Sequence, residues 1–353
     1  MKKIFILFIL FFTSNLYSQN ENDALRYSQQ NIFGTAKFSS MGGSFGALGG
    51  DFSSLSYNPA GISLYHNTEF SMTPSISFIE YSSYLKSNNY KNYDVGGMVT
   101  NIGYVLAGIN SDNQWKRINF GVGWNQLADY NKNLYVSARN NTSSLADLFL
   151  EQASGITTEN LGITTESAFG AYPAFWADII DLENNLVLAD TMGDGTINYT
   201  YAFDNGDYIS HVKGNSPKTQ SKHLISSGHQ GEIVFSLGAS YEDNLYVGAT
   251  IGIPTIEYIE HSTYTESDFN DTTYNLSNFS FDEYLSAYGT GINMKLGAIL
   301  RLSDQIKIGG AIHTPSYIHI EEDYSTYAET NWNNGEVLSS HSPYGSFTYE
   351  ITT

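Results

Sequence analysis

"GEIVFSLGASYEDNLYVGATIGI" (residues 231–253) decides the fold. Its apolar residues recur at every second position. Ile233, Phe235, Leu237, Ala239 and Tyr241 share one face, and Glu232, Val234, Ser236, Gly238 and Ser240 share the other. "EDN" turns the chain, after which Leu245, Val247, Ala249, Ile251 and Ile253 resume opposite Gly248, Thr250 and Gly252. A period of two belongs to a β-strand, and two such runs around a short turn make a hairpin. "INMKLGAILRL", "SDQ" and "IKIGGAI" (292–312) repeat the plan, with Ile292, Met294, Leu296, Ala298 and Leu300 against Asn293, Lys295, Gly297 and Arg301. One apolar face and one small, polar or charged face suit a membrane barrel with a polar lumen. A soluble sandwich also alternates, with its charges outside, so periodicity alone does not separate the two.

Connection lengths favour the barrel. Strand-like runs fall at 69–82, 95–109, 118–126, 231–241, 245–258, 288–301, 306–320 and 343–353. The links after the second, fourth and sixth are short, and those after the first, third, fifth and seventh are long. Short turns at one end and long loops at the other characterise outer-membrane barrels. Tyr241 and Tyr246 beside a short turn, and Tyr81, Tyr258 and Tyr317 towards the long loops, are expected to form two aromatic girdles.

Composition agrees. The 353 residues include 27 Tyr and 32 Gly, no Cys, and 16 Lys+Arg against 36 Asp+Glu, for a formal charge of −20. Without cysteine there are no disulfides and no thiolate metal sites. The acidic balance argues against nucleic acid as a partner. "MKKIFILFILFFTSNLYSQ" carries Lys2 and Lys3, an apolar run to Phe12 and small Ser18, the pattern of a secretory signal peptide over 1–18. That run is too short to span a bilayer, and no later segment reaches the ~20 apolar residues a membrane helix needs. An exported chain of this kind spans a membrane only as a closed barrel. The last run (Phe347, Tyr349, Ile351) has just begun to alternate when the sequence ends, so a C-terminally truncated barrel is expected.

Residues 19–67 do not alternate. "MGGSFGALGGDFSSLSYNPAGI" (41–62) reads as glycine loops around a short helical turn, with Asp51 as N-cap and an end near Tyr57–Asn58, because Pro59 disfavours helix before it. Asn58-Pro59-Ala60-Gly61 forms a tight turn. Gly42, Gly43, Gly46, Gly49 and Gly50 let the backbone pack closely on neighbouring walls, as a plug in a lumen requires. This stretch, with its Asn-Pro-Ala-Gly turn behind a signal peptide, resembles the hatch of the FadL/TodX family of outer-membrane transporters of long-chain fatty acids and other hydrophobic compounds. The resemblance implies a monomeric barrel at 68–353, plugged by a hatch that shifts when ligand binds. It implies passive uptake of a hydrophobic small molecule across outer-membrane lipid, with no catalysis and no cofactor. Barrels similar to this family also act as shuttle or anchoring components of protein secretion, which is the alternative.

The long connection at 127–230, read as an extracellular loop, holds two apolar segments. Leu145, Leu148 and Phe149 have helical spacing behind Ser143 or Ser144 as cap, and Phe169, Tyr172, Phe175, Trp176, Ile179 and Ile180 follow. They are expected to pack as a cap and to line a groove for an apolar ligand. Pro74, Pro254 and Pro315 recur on strands running towards the long loops. Proline cannot donate to a ladder, so each marks a bulge or weakened pairing, and one of them is a candidate lateral opening. The remaining matches are weaker. Gly42-Gly43-Ser44-Phe45-Gly46 fits G-x-S-x-G without a strand before it. "DTMGDGTIN" (190–198) offers Asp190, Asp194, Gly195 and Ile197 to a calcium loop, but Met192 and Tyr201 occupy ligand positions. His223, His229 and the Asn141 sequon read as solvated surface, and no metal site is expected.

Overall fold

The computed structural model describes residues 21–108, 114–182, 187–191, 197–201, 207–270 and 275–353. The stretch at 1–18 read as a signal peptide lies outside them. Helices α1 (Glu21–Ser28) and α2 (Ala36–Ser40) precede two 3-10 turns at Phe52–Ser56 and Pro59–Leu64. Strands β1 (Glu69–Leu85), β2 (Asn88–Leu106), β3 (Trp115–Asp129) and β4 (Lys132–Asn140) follow. Then come α3 (Leu145–Ala153), α4 (Thr165–Phe169), α5 (Ala171–Trp176) and the short strands β5 (Ile180–Leu182), β6 (Val187–Thr191), β7 (Ile197–Tyr201) and β8 (Tyr208–Ser210). The chain continues as β9 (Lys218–Tyr241), β10 (Leu245–Ser267), β11 (Leu276–Arg301), β12 (Lys307–His313), β13 (Tyr317–Trp332), β14 (Val337–His341) and β15 (Gly345–Thr352).

The fold is all-β and antiparallel. One sheet runs β1-β2-β3-β9-β10-β11-β13-β14, with β4 also on β9, β12 on β11 and β15 on β13. Among the described residues no helix is long and apolar enough to cross a membrane. Two expectations need correction. The first connection is no long loop: Asn88–Tyr93 pair with Glu80–Leu85 around a two-residue turn, with Lys86 at φ 53°. Polar strand extensions carry no hydrophobic signal, yet their backbones pair as well as any. For the same reason β4 and most of β9 belong to the sheet, which confines the third connection to residues 141–217.

Burial of the two faces is the reverse of a soluble sandwich. On β11, Ile292 is 57% exposed and Leu296 50%, whereas Asn293 and Lys295 between them are 7% and 6% exposed. Phe235, Leu237, Ile251, Ile76 and Phe78 are likewise exposed. Asn101, Asn119, Asn125, Glu232, Ser236 and Thr250 are buried on the opposite face. Strand parity also corrects the aromatic girdles. Tyr246 and Tyr258 share the buried face with Thr250, and Tyr81 turns the same way to donate to the Asn131 carbonyl. The exposed aromatics at the ends of the aliphatic band are Tyr93, Trp115, Tyr288 and Tyr317.

Residues 31–65 cover the polar face. Asp51 caps the first 3-10 turn by accepting from Ser53 N (2.9 Å), and Asn58 caps the second by accepting from Ala60 N (3.0 Å). The segment then hooks onto the sheet. Asn119 Nδ2 donates to the carbonyls of Ile62 and Tyr65 (2.8 and 2.9 Å), Asn125 Nδ2 to Ser56 Oγ (2.9 Å), and Ser63 Oγ to the Val247 carbonyl (2.8 Å). His313 Nε2 donates to the Tyr57 carbonyl (2.8 Å). Phe52, Leu55, Ile62 and Tyr65 form an apolar patch with Val105 and Val234.

Close approach depends on glycines of the sheet. A Cβ on Gly103 would lie 2.3 Å from the Phe52 ring, and one on Gly248 2.3 Å from the Pro59 carbonyl oxygen. Gly103→Ala should therefore cost about 1–3 kcal/mol through overpacking. Gly97→Ala, with nothing within 4 Å of the new methyl, should be near neutral. Denaturant unfolding of Gly103→Ala, Phe52→Ala and the double variant is expected to give a non-additive cycle, because removing the ring makes room for the methyl.

Candidate functional site

The third connection builds a roof over the upper part of the polar face. Ser144 and Asp147 close a capping box at the start of α3, and the Ser144 N–H donates to Asp147 Oδ2 (2.8 Å). Buried Glu266 on β10 receives Ser144 Oγ (2.6 Å) and the Leu145 N–H (2.9 Å), which ties the helix to the sheet. Phe149, Phe175, Ile179, Ile180 and several alanines form an apolar core that continues onto Phe279 and Phe281 of β11 and Ala328 of β13. Thr330 Oγ1 donates to the Ala177 carbonyl (2.6 Å), and Thr326 Oγ1 to that of Phe169 (2.7 Å).

Beneath this roof lies a cavity of about 600 Å³, floored by Asp23 and Arg26 of α1. Leu145, Leu148, Phe149 and Phe169 line it, as their spacing suggested, and the sheet adds Phe281, Leu285, Glu260, Glu283, Glu322 and Tyr324. The other candidates do not reach it. Phe175 and Ile179 are consumed by the roof's own core, Tyr172 packs against that core, and Trp176 is 51% exposed on the far side, stacked edge-on against Phe175. Helical spacing identified the apolar segments but not which turn of each faces down. The strand residues of the cavity escaped notice because their partners lie on other strands.

At the floor, Arg26 Nη1 donates to Asp23 Oδ1 (2.6 Å) and its guanidinium stacks 4.0 Å over the Tyr258 ring. Burial pushes the neighbouring Tyr27 hydroxyl up to about 12. Lower on the same face, buried Glu232 accepts from Lys295 Nζ and from Asn293 Nδ2 (2.9 Å). Gly252 leaves the space for this cluster, since a Cβ there would sit 2.4 Å from the Glu232 carboxylate. A polar cavity of about 210 Å³ adjoins it, lined by Tyr57, Glu232, Pro254, Asn293, Lys295 and His313.

The three prolines do interrupt pairing. At Pro74 the β1–β2 register shifts, leaving Thr100 unmatched. At Pro254 the β10–β9 ladder continues, whereas the rungs to β11 lapse between Gly252 and Thr255. Pro315 lies in the gap between β12 and β13. Pro254 lines the polar cavity, as do Thr314 and Ser316 on either side of Pro315. Pro74 pairs with Val99, which lines an opening of about 490 Å³ where β2 and β3 part, together with Trp124, Gln126, Asp129, His229 and Glu257. Pairing between these strands runs only from Asn101–Asn125 to Leu106–Phe120, although both continue beyond. The N-terminal segment spans the inner side of the slot. Its Asn31 N–H donates to the Leu127 carbonyl on β3 (2.7 Å), and Thr100 Oγ1 on β2 donates to the Gly34 carbonyl (2.7 Å).

Gly49 adopts φ 59°, and its Cα side faces Gly61 too closely for any side chain. Gly42, Gly43 and Gly50 also have positive φ, while Gly46 does not and its Cβ position is open. Asn58, Pro59, Ala60 and Gly61 are all buried within the second 3-10 turn and its cap. Ser44 follows α2 and a turn instead of a strand. Asp190 and Ile197 fall on the paired β6–β7 hairpin, and residues 192–196 of the calcium-loop match lie outside the described residues. His223 meets Asn133 Oδ1 (3.0 Å), and His229 stacks edge-on against Trp124. Asp178, Asp181 and His211 place potential ligand atoms within 4.8 Å of one another. His211 Nδ1 donates to the Asp178 carbonyl (2.8 Å), and burial raises the Asp178 carboxyl. The chain matches no protein-family model, no curated protein and no solved structure.

These placements separate roof from cavity. Phe149→Ala removes a ring shared by both and should destabilise the roof by about 3–5 kcal/mol. Trp176→Ala should change stability by no more than about 1 kcal/mol, because its loss leaves no core cavity. Limited proteolysis within 141–217 reads the difference, with rapid cleavage expected for the first variant alone.

Proposed function

We propose that the chain forms an outer-membrane β-barrel channel for passive uptake of hydrophobic small molecules, with residues 19–67 as its hatch. The observation carrying this reading is the inverted sheet: a continuous aliphatic face is exposed while amides, hydroxyls and an ion pair are buried. In water such a surface would drive aggregation; against acyl chains it is the favourable side. The strands run 17 to 26 residues in β1, β10 and β11, beyond the roughly 9–11 a bilayer needs, so their polar upper parts extend outside the lipid and carry the roof.

Hydrophobic ligands, long-chain amphiphiles or aromatic hydrocarbons, enter the cavity beneath the roof by partition. Exit is lateral, through the β2–β3 slot beside Pro74, once the N-terminal segment releases Leu127 or Thr100. At Pro254 the β10–β9 ladder continues, whereas beside Pro74 the β2–β3 rungs stop at Asn101–Asn125 although both strands run on. Of the three prolines, Pro74 therefore marks the opening. Binding energy differing between closed and released hatch is what would couple ligand to gating.

Two measurements test this. Leu296→Arg should weaken folding into lipid vesicles by about 2–4 kcal/mol, whereas Ser82→Arg, on the polar extension, should change it by no more than about 1 kcal/mol. Equal folding of both without lipid or detergent would sink the membrane assignment. Asn119→Ala with Asn125→Ala removes three of the hydrogen bonds that hold the hatch. It is expected to raise the flux of an apolar dye into vesicles several-fold without loss of sheet signal.

A further inference from the structure

The cavity beneath the roof has a sign. Its apolar side is formed by Leu148, Phe149, Phe169, Phe281, Leu285 and Phe347. Its polar side holds five carboxylates (Asp23, Glu166, Glu260, Glu283 and Glu322) against two cations, Arg26 and Lys222, a formal balance of three negative charges. Both cations are committed: Arg26 to Asp23 at 2.6 Å and Lys222 to Glu283 at 3.5 Å. Among the described residues no ion pair involves Glu260 or Glu322.

These two carboxylates are held by neutral donors instead. Tyr258 OH donates to Glu260, and Tyr349 OH to Glu322 at 2.9 Å, while Tyr324 OH donates to Glu283 at 3.1 Å. An ionised carboxylate offers about four acceptor positions, and one hydroxyl fills one of them. The polar side is therefore fixed in place, acceptor-rich and short of positive charge. A ligand carboxylate would bring acceptors against acceptors and like charge against like charge, in a space only partly open to water, where such repulsion is poorly screened.

We propose that this cavity selects amphiphiles whose polar end is cationic or neutral and donates hydrogen bonds, and that it discriminates against fatty-acid anions. The ammonium or hydroxyl group of such a molecule lies at Glu260 and Glu322, and its chain lies along the roof helices. The carboxylates do not define the site, which the cavity beneath the roof and its apolar wall supply; they set which head group enters it. The inference rests on the transport reading of the same cavity.

Titration calorimetry on the full chain in nanodiscs of zwitterionic lipid, with empty nanodiscs subtracted for partition, tests it. Decylammonium, decanol and decanoate share one chain and differ in charge. At neutral pH decylammonium and decanol are expected to bind, and decanoate about tenfold or more weaker, equivalent to about 1.4 kcal/mol. Glu260→Gln with Glu322→Gln should weaken decylammonium and bring decanoate towards decanol. Glu166→Gln, at the exposed mouth where folding is not at stake, should move both in the same directions by less. Raised salt should narrow the gap. Decanoate binding as tightly as decylammonium, or an unchanged ranking in the glutamine variants, overturns the charge selection and leaves the cavity as a binding site. Failure of all three probes to bind removes the cavity's transport role itself.

Discussion

Everything in this molecule depends on how closely one short, irregular segment can lie on the polar face of a sheet. Gly238, Gly248 and Gly297 are cross-strand neighbours on β9, β10 and β11, and together they form a strip without side chains beneath Pro59, Ala60 and Ile62. Gly103 and Gly123 form a second such pair beneath the Phe52 ring. Backbone meets backbone only where both sides lack Cβ bulk, so strands and segment must supply the vacancy jointly. At the margins of these strips Asn119 donates to the carbonyls of Ile62 and Tyr65, and Asn125 to the Ser56 hydroxyl.

That docking explains why polar residues can be buried on the sheet. Asn119 and Asn125 are inaccessible because the segment covers them, and each spends its amide on that segment. Glu232 and Lys295 are tolerated because each has the other and Asn293 adds a further bond. A buried pair of this kind is strongly destabilised when one partner is lost, so it enforces a single arrangement more than it adds net stability. Higher on the same face the hydroxyls of Tyr258, Tyr324 and Tyr349 do comparable work for Glu260, Glu283 and Glu322, leaving acceptor capacity facing a cavity. The larger cavity thus lies in the upper half of the face, and the lower half keeps the small polar one.

Much of this was legible in the residues. Period-two patterning located the hairpins at 231–253 and 292–312, and Asp51 caps a first turn that stops ahead of Pro59; the tight turn expected at Asn58–Gly61 is the capped start of a second 3-10 turn. The polar extensions of β1, β2, β9 and β13 were missed, because serine, asparagine and glutamate in alternation give no hydrophobic signal although they pair equally well. Tyr246 and Tyr258 were assigned to the outside by proximity to strand ends, when parity with Thr250 places them inside. Of the nine roof residues expected at a groove, Leu145, Leu148, Phe149 and Phe169 line it. Tyr172, Phe175, Trp176, Ile179 and Ile180 do not, since a helix's apolar stripe is wide enough to serve a core and a cavity on different turns.

The sequence by itself determined the local rules: which residues alternate, where turns cap, which prolines cannot donate, and that no cysteine chemistry is present. Those follow from each residue's own stereochemistry and its near neighbours. The tertiary structure alone decided which strand stands beside which, that β2 and β3 part beside Pro74, and that carboxylates from β10, β11 and β13 converge under one roof. Such juxtapositions depend on register between segments far apart in the chain, which no local periodicity encodes.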